Sequence, residues 1–109
     1  MNTQKKFYGR TILNAEELEG IDRGYKAELE YYRVDNINSS NSVKEESILY
    51  GIEVVKKERL NDGNLNTEKN IVKYISQDKG QVDKMLKKLY TYQVTPVALE
   101  NIIDDLKKE

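Results

Sequence analysis

Adjacent carboxylates at Glu16-Glu17, Glu45-Glu46 and Asp104-Asp105 are the first residues in this chain that could do acid–base chemistry. Two carboxyl groups in contact split their pKa values and can divide the roles of acid and base. That division needs both groups to face one point. Sequence neighbours on a helix or strand point in different directions, so each pair reads as solvated surface. Histidine and cysteine are absent from all 109 residues. Their absence removes the commonest general base and the thiol nucleophile, together with disulfides and thiolate metal sites. Ser39, Ser40, Ser42 and Ser47 stand in or beside a polar stretch with no base in view. "DGNLNTEKNIVK" spaces Asp62, Asn64 and Asn66 like a calcium loop, but it has Thr67 where the loop needs glycine and Lys73 where it needs glutamate. "GIDRG" lacks the spacing and the lysine of a phosphate-binding loop. The expectation is a non-enzyme with no catalytic residue, no cofactor and no metal.

Binding chemistry is better represented. Lys79, Lys84, Lys87 and Lys88 stand against Asp83 alone in the stretch 79–90. Lys84, Lys87 and Lys88 could contact an anion or nucleic acid, although lysines late in a helix also complement its dipole. Eight tyrosines and one phenylalanine make up all the aromatics. Tyrosine supplies rigid area with a polar tip, which suits interfaces.

These groups need elements to position them. "SILYGIEVVKK" alternates Ile48, Tyr50, Ile52 and Val54 on one strand face, leaving Leu49, Gly51, Glu53 and Val55 on the other. Upstream, "GYKAELEYYRV" places Ala27, Leu29 and Tyr31 opposite Lys26, Glu28, Glu30 and Tyr32. Its Tyr25, Leu29 and Tyr32 also fit helical spacing, so residues 24–34 are read as a strand with helix as the competing form. Residues 35–46 read as a polar, flexible loop. Asp62-Gly63 marks a turn into "NIVKYIS", where Val72 and Tyr74 are assigned one face and Ile71, Lys73 and Ile75 the other. A first strand around "KFYGRTIL" is followed by "NAEELEG", whose Asn14 and Glu17 have capping-box spacing for a short helical turn.

The last third reads as two helices. Asp78 and Gln81 form a capping box ahead of the stripe Val82, Met85, Leu86 and Leu89. Thr95 then caps a second helix with Pro96 in its first turn and Leu99, Ile102, Ile103 and Leu106 as its stripe. Few strands are stable uncovered, so both helices are expected on the sheet. The fold class is therefore α+β: one domain, 1–109, with an antiparallel β-meander of three to four strands and two C-terminal α-helices packed on one face. Tyr50 and Tyr74 are expected in the core. Tyr32, Leu49 and Val55 fall on the opposite face, where they could bind a partner or be covered by the segment around Phe7 and Ile12.

"YGIEVVKKE", "IVKYISQDKGQVDKMLKKL" and "VTPVALENIIDDL" together resemble a family of small uncharacterised proteins of clostridia and related Firmicutes. The shared features are a Tyr-Gly-Ile-Glu strand, an Ile-Ser-x-Asp helix start and a Thr-Pro-x-x-Leu closing helix, over about residues 50–106. The resemblance implies this fold and a cytosolic setting, and it brings no assigned activity. The abundance of Lys, Asn, Ile and Tyr points the same way, to an AT-rich genome.

Apolar residues make up 38% of the chain and charged residues 34%, with a net charge of -1. A chain built to coat nucleic acid carries a basic excess, and no apolar run approaches the roughly 18 residues of a membrane span. The start, "MNTQKKFYGR", has no apolar middle of a secretory signal. The reading is a cytoplasmic protein-interaction module, a regulator, inhibitor or adaptor. Another protein is its partner, and a homodimer is a further use of the same face. The alternative is a nucleic-acid accessory protein using the lysine-rich stretch 79–90.

Overall fold

The computed structural model describes residues 2–14, 26–38, 47–59 and 63–108. Four strands run in chain order, β1 (Asn2–Asn14), β2 (Lys26–Asn38), β3 (Ser47–Arg59) and β4 (Leu65–Ser76). Each pairs antiparallel with the next, so the sheet is a meander. Two helices follow, α1 (Lys79–Thr91) and, after a 3-10 turn at Pro96–Ala98, α2 (Leu99–Lys107). The fold is α+β as expected, with four strands.

Residues 26–38 are a strand because their alternation pays both faces. Leu29 and Tyr31 are buried beneath the helices, while Glu28, Glu30 and Tyr32 line the other face. A helix there would wrap the same residues around one cylinder and split the buried set. The strand runs on through Asp35–Ile37, into the stretch expected as a polar loop. Its polar residues hold partners there: Asp35 takes two hydrogen bonds from Arg33, at 2.7 and 3.0 Å, and the Asn36 amide donates to two main-chain carbonyls. The remaining loop residues, 39–46, lie outside the described residues. So does the helical turn expected after Asn14, which is itself the last residue of β1.

The core joins Leu29 and Tyr31 of β2 and Ile52 and Val54 of β3 to the two helix stripes. Each fully buried aliphatic side chain contributes about 1.5–3 kcal/mol. The α1 stripe is Val82, Met85, Leu86 and Leu89, all buried as its spacing dictates. Asp78 caps this helix by accepting from the Gln81 N–H at 3.2 Å. The Ser76 hydroxyl donates to the Gln81 side chain, closing the β4–α1 corner. The α2 stripe buries Leu99 and Ile103 and half-buries Ile102 and Leu106. Pro96 occupies the first position of the 3-10 turn, which rests on β4 through the Asn70 side-chain amide donating to the Pro96 carbonyl at 3.1 Å.

β4 departs from the expected phase. Its pairing with β3 slips between Tyr50 and Ile52, where three residues of β4 stand opposite Gly51 alone. Beyond this bulge the alternation is reset. Val72 still faces the core, but Ile75 replaces Tyr74 as its companion, and Tyr74 is 47% exposed. The expected core position of Tyr74 is thus corrected, while Tyr50 does pack against the core. At the β3–β4 connection Gly63 takes φ +87°, a conformation that suits glycine; Asp62 lies outside the described residues. β1 also exceeds its expected extent, beginning at Asn2 and carrying a bulge between Phe7 and Gly9.

Candidate interaction surface

Gly51 makes the back of the sheet, the face away from the helices. A Cβ there would stand 2.2 Å from the Lys73 carbonyl oxygen and 2.3 Å from that of Val72. Only glycine lets the β4 main chain approach β3 this closely. The approach brings Lys73 within reach of β2. The Asn36 amide donates to the Leu49 carbonyl at 2.9 Å and to the Lys73 carbonyl at 2.8 Å, and its oxygen accepts from the Thr3 hydroxyl at 3.3 Å. One buried side chain therefore ties all four strands.

Beside it runs a lattice of charges. Lys5 pairs with Glu53 at 2.9 Å, and its ammonium stands 5.2 Å from the Tyr32 ring centroid. The Glu53 hydrogen bond and charge raise the Lys5 pKa above 10.5. Glu30 accepts from the Tyr32 hydroxyl at 3.2 Å and pairs with Lys57 at 3.3 Å. Burial, then Glu30, pushes the Tyr32 hydroxyl above its ordinary value.

The sequence-chosen partner residues Tyr32, Leu49 and Val55 do share this face, through register pairs Tyr32–Glu53, Asn36–Leu49 and Glu30–Val55. They do not form one open patch. Val55 is buried at 8% exposure, and Leu49 and Tyr32 are half-buried. Val34, missed in the sequence, is fully buried there between the register partners Lys5 and Gly51. What stands out of the face is Phe7, 60% exposed and edge-on to Tyr32 with ring centroids 5.6 Å apart, and Ile12 at 54%. β1 pairs with β2 and extends the sheet sideways, so the segment around Phe7 and Ile12 does not lie across the face as one expectation had it.

On the helix side, Asp83 is drawn onto the sheet by Arg33, whose guanidinium donates to it at 3.3 Å and lies 5.4 Å from the Tyr50 ring centroid. The acid that interrupts the lysines of α1 is thereby paired with Arg33, its side chain still 42% exposed. Lys84, Lys87 and Lys88 are exposed. Lys84 and Lys88 line a groove of about 320 Å³ with Gln81, Met85 and Leu106, between α1 and α2, and Lys87 stands outside it. Of the carboxylate pairs, Asp104 and Asp105 are both exposed on α2, and the other two pairs lie outside the described residues. No described helix is long and apolar enough to cross a membrane.

A family model described as a family of unknown function (DUF6514) matches residues 10–109. No curated protein and no solved structure matches the chain. The family match begins within β1, at Arg10, so Lys5 and Phe7 precede it.

Proposed function

The chain belongs to this family of unknown function, and we propose that it is a non-enzymatic protein-interaction module, a regulator, inhibitor or adaptor of another protein. The observation that supports this reading is Phe7. A large aromatic side chain stands 60% exposed on an edge strand, held in place by Tyr32 beneath it. A rigid exposed aromatic at the margin of a charged face is a good anchor for a protein partner. Tyr32, Leu49 and Val55 take a supporting part: they fix the surface from which Phe7 projects. The setting is the cytoplasm of a bacterium related to the clostridia, which the sequence resemblance supports.

Affinity capture from the native host's lysate tests this reading, with wild-type and Phe7→Asp proteins compared after a moderate-salt wash. A protein retained by the wild type and lost by the variant, with unchanged circular dichroism, supports the reading. A partner captured equally by both removes Phe7 from the interface.

The groove between α1 and α2 favours a second reading, a nucleic-acid accessory protein. Lys84 and Lys88 line it, and Asp83 is engaged by Arg33. Salt-sensitive gel shifts that vanish on changing Lys84, Lys87 and Lys88 to Glu would support it, and no shift at low salt would end it.

A further inference from the structure

β1 is an edge of the sheet: β2 pairs with one side, and no described strand lies on the other. Its thirteen residues include Lys5, Lys6 and Arg10 and no acid. Lys5 is engaged by Glu53, whereas Lys6 and Arg10 are exposed and hold no ion pair among the described residues. The opposite edge, β4, mixes Glu68 with Lys69 and Lys73. Apolar groups flank β1 on both faces, Phe7 and Ile12 on the back and Tyr8 on the helix side, where its ring centroid is 6.1 Å from that of Tyr90.

We infer that β1 accepts an acidic, extended segment of another protein as a fifth strand. This rests on the interaction-module reading and names its partner's chemistry. Main-chain pairing along the free edge supplies affinity and alternate side chains supply choice. The bulge leaves Lys6 on the helix side and Arg10 on the back. Acids on one face of the incoming strand therefore meet Lys6 while its apolar residues meet Phe7, or acids on the other meet Arg10 while its apolar residues meet Tyr8. Edge lysines and a bulge ordinarily deter strand addition. Here they deter neutral and basic strands and become partners for an acidic one. A second copy is disfavoured, because pairing β1 with β1 brings Lys6 and Arg10 of each copy against a strand that carries no acid. Single-stranded nucleic acid also seeks cations beside aromatics, but it has no amide N–H and C=O ladder to pair with the free edge of β1.

The probe is a fluorescent peptide about twelve residues long, the span of a strand of this sheet, alternating Glu with Val or Ile. Its controls are a Lys-for-Glu version, a version with alternate backbone amides methylated, and an oligothymidylate. The acidic peptide alone is expected to bind at low salt and to slow amide exchange along β1. Lys6→Glu with Arg10→Glu should weaken it by about tenfold or more. No binding, equal binding of either control peptide, preference for the oligonucleotide, or protection confined to α1 and α2 would each overturn the inference. Lysate capture separates this from the broader reading. A partner lost with Phe7→Asp but indifferent to Lys6→Glu with Arg10→Glu retains the module and removes the acidic strand. A partner indifferent to Phe7→Asp removes the surface itself.

Discussion

The Asn36 side-chain amide donates to the carbonyl oxygen of Lys73 at 2.8 Å, across the width of β3 and two strands away in the sheet. The contact exists because Gly51 lets the bulged β4 main chain settle onto the back of β3. Register, bulge and polar satisfaction thus meet in one place.

Gly51→Ala should destabilise the fold by about 2–3 kcal/mol, since a Cβ would collide with two main-chain carbonyls that cannot swing aside. Gly80→Ala is the control. Its Cβ would meet only the Asp78 side chain at 3.3 Å, and alanine suits a helix better than glycine by up to ~1 kcal/mol. Urea denaturation of both variants gives the comparison. Equal midpoints would mean that β4 does not need the close approach.

Asn36→Ala leaves the Leu49 and Lys73 carbonyls without this donor and should cost about 1–3 kcal/mol for each that stays dry. Asn36→Asp should be worse at neutral pH, because a carboxylate would face two carbonyl oxygens. Its stability should improve as acid protonates it. Denaturation midpoints of Asn36→Asp that ignore pH between 4 and 7, roughly the range spanning a raised carboxyl pKa, would contradict this geometry.

Tyr31 gives the chain an alkaline limit. Burial, with Tyr90 adding, pushes its hydroxyl well above the ordinary 10.0, and that hydroxyl donates to the Val94 carbonyl at 2.9 Å. A group whose folded pKa is raised contributes its stability below the unfolded value and loses it as pH climbs toward the folded one. Stability should therefore fall above about pH 10, by up to ~1.4 kcal/mol per pH unit for this group. Tyr31→Phe should lower stability at neutral pH by about 1 kcal/mol and flatten the alkaline decline. Lys5 and Tyr32, whose pKa values are also raised, would leave a residual slope. An unchanged profile would remove Tyr31 as the cause.

Val55→Asp and Phe7→Asp should separate support from contact. Val55 is 8% exposed, so a carboxylate there has no solvent and should cost at least about 3 kcal/mol. Phe7 is open to water, and its replacement should stay within about 1 kcal/mol of wild type. Thermal melts decide. A stable Val55→Asp protein would mean that the back of the sheet is more open than its packing indicates.

Local grammar was the legible part. Asp78 and the stripe through Leu89 act within one helix and take their expected places. Only half of the expected capping box forms: the Asp78 N–H donates to the Ser76 hydroxyl, which in turn donates to the Gln81 side chain. The alternation of Ile52 and Val54 is equally local and equally faithful. Tyr74 and Ile75 exchanged roles because their phase depends on a main-chain approach at Gly51, more than twenty residues earlier. Asp35–Ile37 looked like loop because the partners that make a polar strand affordable, Arg33 within β2 and the carbonyls of Leu49 and Lys73, come from pairing that composition does not display. Asn2–Lys6 is polar on both faces, as an edge strand can be, and leaves no periodic signal. Tyr32, Leu49 and Val55 were placed on the correct face, but that face proved to be tied by Lys5–Glu53 and Lys57–Glu30 pairs. No alternation pattern reveals such pairs.

The order of elements also has a consequence for how the chain is made. All four strands precede both helices, so a growing chain presents the sheet before its cover. Leu29, Tyr31, Ile52 and Val54 then wait for Leu86, Leu89, Leu99 and Ile103. At ordinary elongation rates the stretch from Ser76 to Ile103 takes roughly 1–5 s to synthesise. During that interval one apolar face of the nascent meander stands incompletely covered, the kind of surface a ribosome-associated chaperone binds.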